Sequence, residues 1–247
     1  MPDTEFLLVC ASLLVVAFLY SAVGHAGASG YIAVLTLFGF AAEGIRPVAL
    51  MLNILVATIG TIQFARAGHF SWKLFWPFAV VAFPLAYFGG YVTLPTHWLK
   101  VLIGIVLLAS AVRFLITPGP ETEVRPPSTG VAVAVGGGLG LLAGLTGTGG
   151  GIFLTPILIF MKWSRTKQAS AVSAAFILVN SIAGLAGFAT NAGTFSLLPA
   201  NAVWFPVVAV AGGAAGSYLG SRKLDATIIK RLLAVVLTIA GLKLVLT

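Results

Sequence analysis

Charge is what this sequence has least of. Its 247 residues include only 6 Asp and Glu, against 14 Lys and Arg, so that 8% are charged. A soluble domain carries about a quarter. Long stretches have none at all: residues 6–42 and 168–221 contain no Asp, Glu, Lys or Arg. Each exceeds the roughly 20 apolar residues that one helix needs to cross a bilayer. Carboxylates are also missing from every predicted span, which disfavours cation pumps and antiporters, whose ion sites are built on them. HExxH and GxSxG are absent, which argues against intramembrane hydrolysis, and GTGGG lacks the Lys-Ser/Thr of a nucleotide-binding P-loop. The lone cysteine, Cys10, excludes an intrachain disulfide. The MPDTEF start lacks the basic region of a signal peptide, so the first apolar segment is expected to remain in place.

What remains is 59% hydrophobic, with a mean hydropathy of +1.07. In lipid the backbone must satisfy its own hydrogen bonds, so the choice lies between helices and a closed barrel. These runs are apolar all round, without the ten-residue alternation of a barrel strand. The chain is expected to be all-α and polytopic. The formal charge of +8 comes from basic residues set singly or in pairs at the ends of apolar runs. That is the pattern of topology determinants, and it excludes a nucleic-acid partner.

The one long polar segment, TPGPETEVRPPST, reads as a linker over residues 117–129, between membrane repeats at 1–116 and 130–247. The chain repeats itself across it. Gly24, Gly27, Gly30 and Ile32 match Gly144, Gly147, Gly150 and Ile152 at a constant spacing. Farther on, Asn53 and Gly60 match Asn180 and Gly187, and Gly90 and Lys100 match Gly220 and Lys230. Each half begins with an apolar segment (6–20; 131–145) that runs into a glycine-rich break, GHAGASG or GLTGTGGG. A segment of about ten residues follows (31–40; 152–161). Three long helices come next, near 47–65, 74–94 and 98–116, then 168–190, 199–220 and 227–246.

A ten-residue helix covers roughly 15 Å, half a bilayer. A re-entrant hairpin with its break near the midplane is therefore expected. A hairpin plus three crossings gives each half an odd parity, so the second half is inverted. With the N-terminus outside, the inner ends hold Arg66, Lys73, Arg113, Arg125, Lys162, Arg165, Lys167, Arg222, Lys223, Lys230 and Arg231. The outer ends hold only Arg46, Lys100 and Lys243. That asymmetry obeys the positive-inside rule.

Inverted repeats place a binding site where opened helix ends face a cavity at the midplane. The short helices begin directly after the glycines, and helix N-termini suit an anion. Gly27, Ala28, Ser29 and Gly30, with Gly147, Thr148, Gly149, Gly150 and Gly151, would let a ligand approach the backbone, while Ser29, Thr146 and Thr148 add hydroxyls. The alternative for such glycines is close helix packing, the reading preferred for 136–138 and 212–213. His25 lies in the first break, with Thr146 nearest to it in the second. It could bind an anion, couple transport to protons, or sit neutral against a carbonyl. Asn53 and Asn180, matched within apolar helices, either line the pocket or join helices. Arg46 is expected to pair with Glu43 or to serve topology, with anion attraction at an outer mouth as a further option. The five Trp fall at segment ends, as an interfacial belt requires.

YSAVGHAGASGYIAVLTLFGF and LLAGLTGTGGGIFLTPILIF, one glycine cluster and short apolar helix per half, resemble the sulfite exporter TauE/SafE family of bacterial anion transporters. The likeness covers nearly the whole chain. Ala28 and Ser29, followed by Tyr31, depart from the glycine triplet in the first copy. The resemblance implies a multi-pass protein of the bacterial cytoplasmic membrane that moves sulfite, sulfonates such as sulfoacetate, or related small organic anions, commonly outward. It is not an enzyme, and no cofactor or metal is implied. An anion channel is the alternative on the same scaffold, and a homo-oligomer is allowed.

Overall fold

The computed structural model describes residues 3–92, 97–116, 123–192 and 200–246. Every regular element among them is helical. They are α1 (Asp3–Ala22), α2 (Ala28–Leu37), α3 (Ala42–Arg66), α4 (Trp72–Tyr91), α5 (His97–Ile116), α6 (Thr129–Thr146), α7 (Gly151–Phe160), α8 (Thr166–Ala192), α9 (Trp204–Arg222) and α10 (Ala226–Leu246), with a 3₁₀ turn at Ala200–Val203. Both short helices, α2 and α7, appear where the ten-residue segments are expected. α3 begins before the expected boundary at Pro47 and carries that proline inside it. The uncharged outer loop at 193–199 and residues 117–122 of the linker lie outside the described residues. α1, α3, α4, α6 and α8 are long and apolar enough to cross a membrane. α5, α9 and α10 match them in length.

The surface agrees. Leu7, Val80, Phe88, Val112, Leu115 and Val207 are each more than half exposed, a large apolar covering that suits lipid and not water. Inside, Tyr20, Tyr31, Phe64, Phe78, Phe114, Phe176 and Phe205 are fully buried.

Glycine determines which helices touch. Along α6, a β-carbon at Gly136, Gly140 or Gly144 would strike the backbone of Phe78, Ala82 or Ala86 in α4. Along α9, one at Gly212, Gly216 or Gly220 would strike the backbone of Leu14, Phe18 or Ala22 in α1. Both contacts advance by four residues on each helix, so each pair runs parallel at close approach, as small residues spaced by four permit in membranes. The packing reading thus accounts for Gly136, and for Gly212. Gly138, by contrast, faces open space.

The contacts recur in matched pairs. α1 packs on α9 as α6 packs on α4, and α4 on α8 as α9 on α3. The counterparts α3 and α8 meet each other, Asn53 beside Ser181 and Gly60 beside Ala174. The counterparts α5 and α10 meet through Gly104 beside Val245, and Leu108 beside Gly241. In both pairs rising numbers meet falling ones, so these matched helices run antiparallel.

Both hairpins fold back. Phe6, near the start of α1, and Phe40, after α2, pack on Phe205 with ring centroids 6.2 and 5.7 Å away. In the second half the Arg125 N–H, ahead of α6, donates to the Lys162 carbonyl after α7 at 2.8 Å.

Candidate functional site

The two glycine breaks come together between α3 and α8. Asn53, near the middle of α3, is fully buried. Its Oδ1 accepts from the Ala28 N–H at the start of α2 at 2.9 Å. Its Nδ2 donates to the Thr148 carbonyl in the second break at 3.4 Å and to Ser181 Oγ, near the middle of α8, at 3.3 Å. One amide thereby joins both breaks and both long central helices. Glycine makes this geometry accessible. Gly27 ahead of α2 has φ +109°, and Gly149 and Gly150 ahead of α7 have φ +76° and +80°, a region that residues with a β-carbon rarely adopt. Both cap residues are glycine and bring no side chain of their own to the helix start, and at α2 the Asn53 amide takes that place.

His25 makes the second bridge. Its Nε2 lies 2.9 Å from Thr155 Oγ1 in α7, and Thr155 Oγ1 donates to Ser173 Oγ in α8 at 2.7 Å. Thr155 spends its proton on Ser173, so it accepts from His25, and Nε2 carries the ring hydrogen. Nδ1 has no partner. The residue facing His25 is therefore Thr155 and not Thr146. Thr146 Oγ1 instead bonds the Leu142 carbonyl and Thr148 Oγ1, at 2.7 and 2.8 Å.

The other residues of the breaks divide by what they touch. Ser29 Oγ donates to the Tyr20 hydroxyl at 3.0 Å, and the Tyr31 hydroxyl closes onto the Ala26 carbonyl at 2.6 Å, its ring against Gly27. A β-carbon at Gly30 would meet Val16 of α1, and one at Gly151 would meet Ile177 of α8, so both glycines serve close helix approach. At Gly149 it would meet Asn53 Nδ2, Ile177 and Ser181 Oγ. At Gly150 it would meet Phe176, and at Gly147 the stem of Arg46. Asn180 is 1% exposed, yet neither of its side-chain polar atoms has a partner among the described residues. On α8 it shares a face with Phe176 and Gly184, one turn to either side.

Sequence reasoning missed four participants. Tyr20, Thr155, Ser173 and Ser181 are ordinary residues of apolar helices, and only the packing of α7 and α8 brings them in. The sequence places Arg46 at an outer helix end, as a partner of Glu43 or a topology determinant. Instead its guanidinium reaches inward, where Nη2 donates to the carbonyls of Gly89 at 3.1 Å, of Gly90 at 3.5 Å, and of Gly144. Those carbonyls end α4 and α6, whose negative dipole ends favour a cation. Its Cζ also lies 5.6 Å from the Phe188 ring centroid. The Glu43 side chain lies outside the described residues. Among the described residues, no three His, Cys, Asp or Glu gather as a metal site.

A membrane-embedded helical bundle whose two broken helices meet at its centre is the architecture of a membrane transporter. Comparison with known proteins gives the same class and a family. The model of the sulfite exporter TauE/SafE family matches residues 9–244, and the chain belongs to that family. It is 38% identical to the probable membrane transporter protein y4hK of Sinorhizobium fredii, over 98% of this chain and 99% of that one. It is 27% identical to the probable membrane transporter protein MJ0441 of Methanocaldococcus jannaschii, over 76% and 75% of the two chains. No solved structure matches. The protein is a multi-pass membrane transporter and not an enzyme.

Proposed function

We propose that this transporter exports a small oxyanion, sulfite or a sulfonate such as sulfoacetate, across the bacterial cytoplasmic membrane by alternating access around the joined breaks. The observation that carries the reading is the Asn53 bridge, which brings the start of α2 within one side chain of the second break ahead of α7. Two helix N-termini converge there, and each favours negative charge. Arg46 adds a full positive charge beside Gly147. No Asp or Glu occurs among the described residues of either break to oppose an anion.

His25, Ser29 and Thr148 are at most 5% exposed. That closure fits an occluded stage of alternating access better than a standing channel. The antiparallel counterparts, α3 with α8 and α5 with α10, support inverted repeats that rock against each other. Proton coupling would fall to His25, whose Nδ1 has no partner among the described residues.

The test is flux. Purified protein in proteoliposomes should exchange labelled sulfoacetate for internal sulfite with saturation, and should carry no ohmic current. Current that rises linearly with voltage, without saturation, would replace the exporter with a channel.

Orientation is tested separately. The expected arrangement has the N-terminus outside and Pro126, between α5 and α6, inside. In a Cys10-free background, a cysteine at Asp3 should react with an impermeant thiol reagent added to intact cells, and one at Pro126 should not. Labelling at Pro126 alone would reverse the topology.

A further inference from the structure

At the end of the bundle away from Phe6, Phe40 and Phe205, connections from both halves line an open cavity. It has a volume of about 590 Å³ and is lined by Gly68 and His69 after α3, Val124 ahead of α6, Arg165, Lys167 and Gln168 around the start of α8, and Ala226 at the start of α10. It shares no residue with the glycine breaks. Two full positive charges face it, and the described residues lining it include no carboxylate.

The nearby polar groups are already oriented. The Ser221 carbonyl only accepts, so His69 donates to it from Nε2, at 3.0 Å, and Nδ1 is the remaining polar atom of the ring. Lys167 Nζ reaches the same carbonyl at 3.4 Å, a long contact that leaves its other protons for a ligand. The carboxylates in the neighbourhood are engaged elsewhere. Asp225 Oδ1 accepts from the Ile228 N–H of α10 at 2.8 Å, and Glu123 pairs with Arg125 at 3.3 Å. α8 begins at the wall, so its amino-terminal dipole end adds to the charge of Arg165 and Lys167, whereas that of α10 is already met by Asp225. A second cavity of about 330 Å³, with Lys73, Trp76 and Trp163, continues past Val124 and Gln168.

We propose that this cavity is a second anion site that takes a phosphate group and ties the two halves together on the linker side. Its volume falls within the range of about 300–1,000 Å³ typical of small-molecule sites, more than a single small ion needs. Arg, with its fork of donors, and Lys, as a point charge, are the side chains that bind phosphate oxygens. The phosphate could belong to a lipid headgroup or to a soluble compound, and both share this chemistry.

Pyrophosphate is the probe, titrated by calorimetry into the full-length protein in an uncharged detergent. One saturable site is expected. Arg165→Gln combined with Lys167→Gln should raise its Kd by at least about tenfold, the equivalent of about 1.4 kcal/mol, with an unchanged melting temperature in the absence of pyrophosphate. Arg222→Gln, an exposed cation after α9's last glycine, should leave the Kd unchanged. Repeating the titration in phosphatidylcholine nanodiscs with and without phosphatidylglycerol separates the sources. Loss of pyrophosphate binding when the anionic lipid is present identifies a headgroup as occupant, and retained binding identifies a soluble phosphate. The proposal fails if the wild type shows no saturable binding, if the double variant binds as well as wild type, or if Arg222→Gln weakens binding equally. It also fails if sulfoacetate displaces pyrophosphate at equal concentration, since the cavity would then belong to the transport path.

Discussion

Gly149→Val is expected to abolish anion transport and binding. Two effects act on the same atom. Gly149 has φ +76°, and a left-handed backbone costs a residue with a β-carbon roughly 1–2 kcal/mol, more when it is β-branched. The new β-carbon would also lie 2.8 Å from Asn53 Nδ2, from Ile177 and from Ser181 Oγ. Overpacking of that kind costs typically about 1–3 kcal/mol. The Asn53 Nδ2 contacts are the ones most readily lost, because they are long, at 3.3 and 3.4 Å. The second break then separates from α2, and the two helix N-termini no longer share a centre. The comparison variant is Gly137→Ala, whose β-carbon would meet only the side-chain methyls of Val81 and Leu85, at 3.1 and 3.2 Å. Both proteins should elute as single species on gel filtration. Flux should fall below a hundredth of wild type in the first and stay near wild type in the second. A folded Gly149→Val protein that transports at half the wild-type rate would place the anion site away from this break.

How legible this arrangement is in the sequence depends on range. Helix count and class follow from uncharged runs alone, since lipid leaves the backbone so few options. The breaks are equally visible, because Gly27, Gly149 and Gly150 supply the positive φ that ends one helix and starts another. The recurrence of Asn53 as Asn180 marks matched positions on α3 and α8, but of the two only Asn53 bonds to the breaks. What the sequence does not carry is the partner across a packed interface. Thr155 and Ser173 look like any small polar residues in apolar helices, and their role depends on how α7 settles against α8. Arg46 illustrates the same limit. An arginine near a predicted helix start reads as a topology signal, while its long stem lets the charge travel inward to the carbonyl ends of α4 and α6. The glycines of α6 and α9 could be assigned to packing from sequence, but which helix each one meets could not.

Asn53 and Asn180 occupy matched positions, and opposite outcomes are expected when each is replaced by leucine. Asn53 is fully bonded. Asn53→Leu takes the acceptor from the Ala28 N–H and the donor from the Thr148 carbonyl, both inside the protein. Side-chain bonds between membrane helices are worth about 0.6 kcal/mol on average and up to about 1.7, whereas a buried backbone group left without a partner costs about 1–3. Asn53→Leu should therefore melt several degrees below wild type without any ligand. The Asn180 amide has no hydrogen-bond partner among the described residues and the residue is 1% exposed, so wild type bears the cost of a buried amide without partners. Asn180→Leu removes that cost at similar volume and should melt at or above the wild-type temperature. Its effect should appear only with the anion present. At 100 times its Kd a ligand stabilises the folded protein by about 2.7 kcal/mol, and an amide that waits for the substrate contributes part of that. Sulfoacetate should raise the melting temperature of wild type clearly more than that of Asn180→Leu, with transport reduced in step. An equal thermal shift and full transport in Asn180→Leu would make Asn180 a packing residue and restrict the anion site to the Asn53 side of the breaks.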